Sequence, residues 1–476
     1  MVFSSMLFAF AFLVICYGAY LILGKTIKAQ NIILLISSLI FYAWGGPVLV
    51  LLLCLMAFIC WGGAIVIDKH RAPKAKNALC IATVASCLAL LFIFKYTNFL
   101  ITNVSMLFGS GEIFDSIALP IGISFYTFQL ISYVIDVKRG EVEAEEKYWI
   151  VLLYASLFHQ CIAGPIVRYQ DVANDIHNRE LNLKEASDGF SRFAIGLAKK
   201  AILANGCAAI ADSLIILDSE KLMNQSSMGI LLGIFCYALQ IYLDFSAYSD
   251  MAIGMGLMVG FHYKENFNYP YIADSVTDFW RRWHISLSTF FRDYVYIPLG
   301  GNRVSVPRHI LNLFIVWALT GFWHGASWNY LIWGLYFFLF LMLEKFLLKP
   351  KKNPKLYIKI PRILLTMVVV FFGWMIFKFE DMSHLVIAVN GIFCNNGNSF
   401  TSLAASGQFT SNMFFLLLST IACTPVIPKA KQLLSKTATG EKISICITTI
   451  APAILIILSA FTLAGDTYNP FLYFQF

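Results

Sequence analysis

Apolar runs of about twenty residues recur along this chain from end to end, divided by short loops that hold most of its charge. A helix needs about 20 predominantly apolar residues to cross the hydrocarbon core of a bilayer. In lipid each backbone polar group must also be satisfied within its own segment or a closed barrel. The recurrence therefore predicts an all-α, polytopic membrane protein. Only 13% of the residues are charged and 59% are hydrophobic, where a soluble domain carries roughly 25% charged residues. Candidate spans fall near 3–23, 30–45, 47–67, 78–101, 118–137, 148–164, 190–215, 227–260, 310–326, 328–348, 362–378, 411–428 and 444–464. About eleven are expected to be true transmembrane helices, the others being short, re-entrant or broken.

Loop charge sorts the two sides. Lys25/Lys28, Lys69 to Lys76, Lys138 to Lys147, Lys345 to Arg362 and Lys429 to Lys442 alternate with the Lys- and Arg-poor stretches 103–117, 379–410 and 465–476. The positive-inside rule assigns the first set to the cytoplasm and puts the N-terminus outside. Met1 to Leu23 lacks the basic start and small-residue cleavage site of a secretory signal, so it reads as the first helix. The net charge of +8 is explained by these loops and is no nucleic-acid signal. Eleven scattered cysteines include no C-x-x-C and no Cys/His spacing of a zinc site, so neither a metal nor a structural disulfide is expected. The polar stretches 166–190 and 262–309 are too short for independent domains. Residues 1–476 are thus read as one integral-membrane unit with its core at about 118–380.

Within this apolar frame two histidines stand out. His324 lies in Gly321-Phe322-Trp323-His324-Gly325-Ala326-Ser327-Trp328, and His284 in Phe279-Trp280-Arg281-Arg282-Trp283-His284. From Ile310 to Leu348 the only acid is Glu344, and no Lys or Arg precedes Lys345. An ionisable side chain at such a depth is costly and marks function by default, and histidine is the side chain suited to proton transfer near neutrality. Upstream, Ser275-Val276-Thr277-Asp278 has the form of a helix N-terminus. Trp280, His284, Leu287 and Phe291 follow at intervals of 4, 3 and 4, which predicts one amphipathic helix carrying His284 on its apolar face. Its arginines would lie toward the interface. Asp244 and Asp250 read as bound to internal partners such as Tyr248 or an arginine, and Asp136 as paired with Lys138 or Arg139. His159, beside the Ala163-Gly164-Pro165 break, is the one further histidine placed to line a tunnel.

At these residues the chain resembles the membrane-bound O-acyltransferases, and within them the bacterial branch that acetylates alginate and other polysaccharides. The resemblance is carried by Asp278 to Ser288, Phe291 to Arg303, and Thr320 to Gly325. It extends to Ala163 to Tyr169, Asp244 to Asp250, Gly373 to Phe377 and the closing Asn469 to Phe474, and so runs from about residue 40 to the C-terminus. It implies a ring of tilted helices around a thinned core, with a funnel from each face and a tunnel between. His324 matches the family's invariant histidine, and His284 the second histidine of this branch. It further implies a bacterial cytoplasmic membrane protein and an extracytoplasmic partner of the SGNH esterase fold, working with polysaccharide synthesis machinery.

Acyl transfer from a thioester to a hydroxyl needs a base for the hydroxyl proton, donors for the oxyanion of the tetrahedral intermediate, and exclusion of water. His324 suits the first need, within a shield of Phe322, Trp323 and Trp328. His284, Trp323 Nε1 and Asn329 are candidate oxyanion donors. Arg281, Arg282, Trp283, Arg292 and Arg303 are candidates for holding the donor, which the resemblance suggests is acetyl-CoA from the cytoplasm, with no bound cofactor. Arginines at a membrane interface serve equally as snorkelling anchors. One alternative keeps the enzyme class and takes D-alanine or another acyl group from a carrier protein to a cell-wall polymer. Another is a transporter with a histidine proton relay, which predicts repeated halves and paired intramembrane charges. Neither feature is evident in the sequence.

Overall fold

The computed structural model describes residues 3–70, 72–108, 116–162, 164–348, 354–465 and 471–472. Arg71, Ala163, parts of the expected loops at 103–117 and 345–362, and most of the expected outer tail lie outside the described residues. The fold is all-helical among the described residues.

The first half comprises α1 (Phe8–Leu23), α2 (Ile27–Ala43), α3 (Leu49–Lys69), α4 (Pro73–Phe108), α5 (Ile123–Arg139), α6 (Tyr148–Ser156), α7 (Tyr169–Asn178), α8 (Leu183–Leu214) and α9 (Ser227–Met258). The second comprises α10 (Val276–Arg282), α11 (Ile285–Phe291), α12 (Val306–His324), α13 (Trp328–Leu348), α14 (Leu356–Lys378), α15 (Met382–Ile392), α16 (Leu403–Ala422), α17 (Val426–Leu434) and α18 (Ala438–Gly465). Seven of these (α3, α4, α8, α9, α13, α14 and α18) are long and apolar enough to cross a membrane. The number rises to 8 if α16 and α17, bent by 71°, form one span. The stretch expected as a span at 148–164 is helical only to Ser156. There Leu157 leaves the helical region, and the Ser38 hydroxyl accepts from Phe158 N at 3.1 Å. Turn residues follow, so the stretch is too short to cross a membrane as one helix.

Contacts between chain ends define two faces. On one, Arg139 donates to the Asp293 carbonyl at 2.8 Å, Arg168 pairs with the Asp293 carboxylate at 2.7 Å, and Lys345 meets His309 at 2.8 Å. On the other, the Trp328 indole donates to Asn103 at 3.0 Å, and Lys378 pairs with Asp212 at 3.0 Å. Two of the loops grouped by their lysines and arginines, those of Arg139 and Lys345, supply contacts of the first set.

At the centre, α8 and α9 pack through glycine. A Cβ on Gly189 would stand 2.6 Å from Gly254 O, and one on Gly196 2.8 Å from Ala247 O. Such close approach brings polar side chains of the two helices together. Asp250 takes Arg192 at 3.0 Å and Lys199 at 2.7 Å, and buried Asp244 takes Lys200 at 2.6 Å. Asp250 thus has an arginine partner of the kind read from the sequence, whereas the two lysines, and charge pairing between long apolar helices, were not evident there. Partners some fifty residues apart come together only through helix packing, which no local pattern reports.

Candidate active site

His324 is the last residue of α12, and the packing of the α12–α13 hairpin fixes its place. Gly321 lies against Tyr330 O and Gly334 against Trp317 O, where added Cβ atoms would both stand at 2.4 Å. Gly325 then turns the chain beneath the Tyr330 ring. His324 is 3% exposed. Its ring lies 5.0 Å from Trp323, 4.9 Å from Trp333 and 5.3 Å from Phe377 between centroids. The aromatic shield is real, but its members differ from those expected. Trp328 turns outward, 53% exposed, against Phe99. Trp333 and Phe377 stand where Trp328 was expected, because the helical turn after Ser327 points position 328 away from the hairpin interior.

His284 does not ride on one amphipathic helix. Ser275 caps α10 as predicted, its hydroxyl accepting from Asp278 N at 3.0 Å. The helix ends at Arg282, however, and α11 begins at Ile285. Between them His284 adopts φ 44°, in the left-handed region that few residues with side chains enter. Asn266 holds the break. Its Oδ1 lies 3.2 Å from His284 Nδ1 and accepts from Ser286 N at 3.1 Å and Ser286 Oγ at 2.9 Å, while its carbonyl accepts from Ile285 N at 2.9 Å. A second distant residue secures α10. The Glu344 carboxylate accepts from Val276 N at 2.6 Å and from Thr277 N and Oγ1 at 2.8 Å, completing the helix N-terminus.

The two histidines share one neighbour. Trp323 lies 5.7 Å from the His284 ring as well as against His324, and Phe245 closes the far side of His284 at 4.7 Å. Among the described residues the Trp323 and Trp333 Nε1 donors have no acceptor. A cavity of about 100 Å³ reaches this cluster, lined by His324, Trp323, Ser124, Gly122, Ile162 and Lys95. A water needs about 10–15 Å³ of such space, so the cavity has room for several waters or a small acyl group. It leads to exposed Leu119 and Ile121. Gly122 makes its wall possible: φ is 75°, and a Cβ there would meet Cys161 O at 2.6 Å.

Lys95 was missed by the sequence reading. It lies in α4, 8% exposed, and donates to Trp323 O at 2.5 Å and Ser124 Oγ at 3.2 Å, with His324 O at 3.5 Å. Its neighbour Tyr96 donates to Phe322 O at 2.6 Å. The available signal was its isolation, since no other Lys or Arg occurs between Lys76 and Lys138.

The arginines gather toward the opposite face, in different states. Arg282 pairs with Asp278 at 2.9 Å, and Arg292 with Asp293 at 2.6 Å. Arg281 and Arg303 have no ion pair among the described residues. Burial pushes the Asp293 carboxyl up, but hydrogen bonds from Arg292 and Arg168 outweigh it and hold the group below the usual carboxylate range. Trp283 is buried against Trp374 at 4.7 Å and Phe279 at 5.6 Å, which makes it part of the core. Asn329 donates to Phe377 O at 3.2 Å and so braces one of the rings around His324. Asp136 accepts from Tyr294 OH at 2.7 Å, not from Lys138 or Arg139 as expected, because the π-turn Arg292–Tyr296 brings that hydroxyl inward. His159 is buried and bound to Tyr263 OH at 2.6 Å.

The arrangement offers a buried imidazole, a second imidazole fixed in orientation, unspent indole donors, a cavity that opens on one side and cations on the other. Those are the elements of group transfer to a hydroxyl with water excluded.

Residues 147–380 match the model of the membrane-bound O-acyltransferase family. The chain is 36% identical to the probable alginate O-acetylase AlgI of Pseudomonas putida, with 100% of each chain covered. It is 33% identical to the peptidoglycan O-acetyltransferase of Helicobacter pylori, over 85% of this chain and 82% of that one. It is 29% identical to the teichoic acid D-alanyltransferase of Bacillus subtilis, over 56% of this chain and 70% of that one.

Proposed function

The chain belongs to the membrane-bound O-acyltransferase family, and we propose that it takes acetyl groups from a cytoplasmic thioester, acetyl-CoA, and passes them across the membrane for O-acetylation of an exported polysaccharide. The observation that carries this reading is the position of His324, between the arginine-bearing face and a cavity that leads to the opposite face. His284 on the polar 262–309 segment and Trp323 at the hairpin tip are in ring contact, which joins that segment to the His324 site.

In the proposed reaction the acceptor hydroxyl gives its proton to the His324 imidazole as its oxygen bonds the acyl carbon. The C–S bond breaks, and the leaving thiolate takes the proton back. The Trp323 Nε1 donor, with His284, stabilises the oxyanion that forms between these events. Arg281 and Arg303, with no acid to neutralise them, suit donor phosphates better than Arg282 and Arg292. The site faces a cytoplasmic membrane with the N-terminus outside, and the polymer is reached through an extracytoplasmic acyltransferase of the SGNH fold. Full-length similarity to a chain named for alginate acetylation supports acetyl over D-alanyl, whose namesake relative matches over 56% of this chain.

The test is turnover of radiolabelled acetyl-CoA by purified protein in nanodiscs, wild type beside His324→Ala. Thiol release and label transfer that vanish in the folded variant are expected. Equal turnover in both would remove His324 from the chemistry, and turnover only with an acyl-loaded carrier protein would move the reading to D-alanyl or related export.

A further inference from the structure

Lys95 is a buried amine whose hydrogen-bond partners are a hydroxyl and backbone carbonyls. Its ammonium has three protons, and its neighbours are the Trp323 carbonyl at 2.5 Å, the Ser124 hydroxyl at 3.2 Å and the His324 carbonyl at 3.5 Å. It also lies 5.9 Å from the centre of the Trp323 ring. No carboxylate pairs with it among the described residues. A lysine is costly to bury at this depth, and a smaller donor could satisfy one carbonyl more cheaply. Its presence therefore needs a reason beyond a single hydrogen bond to the helix end.

Two features of its position supply that reason. The last carbonyls of a helix have no partner within the helix. At the end of α12 three consecutive ones, of Phe322, Trp323 and His324, are taken by the adjacent residues Tyr96 and Lys95 of α4. The backbone that carries His324 is thus clamped from a different helix. The same amine also lines the cavity beside His324, where Lys95 and His324 are the ionisable side chains among the lining residues. We infer that Lys95 is a positioning residue for acyl transfer: it fixes the α12 terminus so that His324 is held against the cavity. This inference rests on the acyltransferase reading of the site.

The experiment compares wild type with Lys95→Met, Lys95→Gln, Lys95→Arg and Tyr96→Phe in nanodiscs. It measures kcat and donor KM, and the rate at which diethyl pyrocarbonate modifies His324, followed by mass spectrometry. For Lys95→Met we expect kcat to fall by about 10²-fold or more with donor KM changed less than about threefold, because the group acts on the transfer step and not on donor binding. Lys95→Arg should recover a large part of the loss, Lys95→Gln little of it, and Tyr96→Phe should stay within about tenfold of wild type. The pyrocarbonate rate at His324 should change in Lys95→Met, a readout that needs no turnover. If Lys95→Met does not fold, Lys95→Gln decides: a folded Gln variant with wild-type kcat overturns the inference. A folded Met variant with wild-type kcat and an unchanged modification rate overturns it as well. Absence of acyl transfer in wild type, with any donor, would instead remove the acyltransferase reading. A changed modification rate would then still support the clamp on His324, and an unchanged one would overturn that too.

Discussion

The indole of Trp323 and the imidazole of His284 lie 5.7 Å apart between centroids, although one sits at the turn of the α12–α13 hairpin and the other at the break between α10 and α11. Trp323 also packs against His324, and its Nε1 has no acceptor among the described residues. A buried donor left unspent in the ground state is the kind of group that acts when negative charge appears. Trp323→Phe keeps the ring and removes the donor. It should lower kcat by about 10²–10³-fold, the range seen for loss of one oxyanion donor, with donor KM little changed. Unaltered kcat in a folded Phe variant would assign Trp323 to packing alone.

His284 has two tasks that substitution can separate. Its backbone sits at φ 44°, which asparagine tolerates better than most residues, while its ring faces Phe245 and Trp323. His284→Asn should therefore preserve the thermal midpoint within a few degrees and still lose activity. His284→Val should lose both, since a β-branched residue in the left-handed region is strained. An active Asn variant would show that only the turn matters.

Asn266 joins that turn to the ring by four contacts from one residue. Asn266→Ala removes the three made by the side chain and leaves buried donors unmet, at a cost of about 1–3 kcal/mol. It should lower the unfolding midpoint and reduce turnover through His284. A midpoint equal to wild type would mean that the α10–α11 break holds without it.

What the sequence revealed and what it concealed divide along a physical line. The apolar runs were legible, and the two histidines could be singled out as buried, because membrane burial leaves its mark residue by residue. The Ser275 cap was legible because it is local. The single helix expected through His284 failed because a periodic apolar stripe does not report a left-handed residue in its middle, and the residue that stabilises the break, Asn266, lies in a loop before it. Glu344 and Lys95 act on backbone groups 68 and 228 residues away, and such pairings exist only once the helices are assembled. Lys95 nevertheless carried a readable sign, a lone cation inside an apolar run, which the rule that exposed the histidines applies to equally.

Gly122 offers a test of the cavity wall. Its φ of 75° is strained for any side chain, and a Cβ would press on Cys161 O at 2.6 Å, a backbone atom that cannot swing aside. Gly122→Ala should destabilise the protein by about 1–3 kcal/mol and narrow the cavity next to His324. Turnover with acetyl-CoA should fall, and more steeply still with a longer acyl donor. Equal loss for both donors would show that the wall does not measure acyl size.

On the arginine face, Asp293 joins three basic partners. Arg168 and Arg292 bond its carboxylate, and Arg139 bonds its carbonyl. Burial raises the carboxyl, but the hydrogen bonds from Arg292 and Arg168 prevail, so its folded value lies below its unfolded one. A carboxylate depressed in this way contributes stability that is fully present above the unfolded value, near 3.9. That contribution is lost as pH falls through the folded value. Wild type should thus unfold at a higher temperature than Asp293→Asn at pH 6, and the gap should close as the pH is lowered below about 4. Salt should narrow the gap only in part, since the pair with Arg168 is largely sheltered from solvent. A gap that persists undiminished at low pH would show that Asp293 acts through its shape and its backbone contact with Arg139, not through its charge.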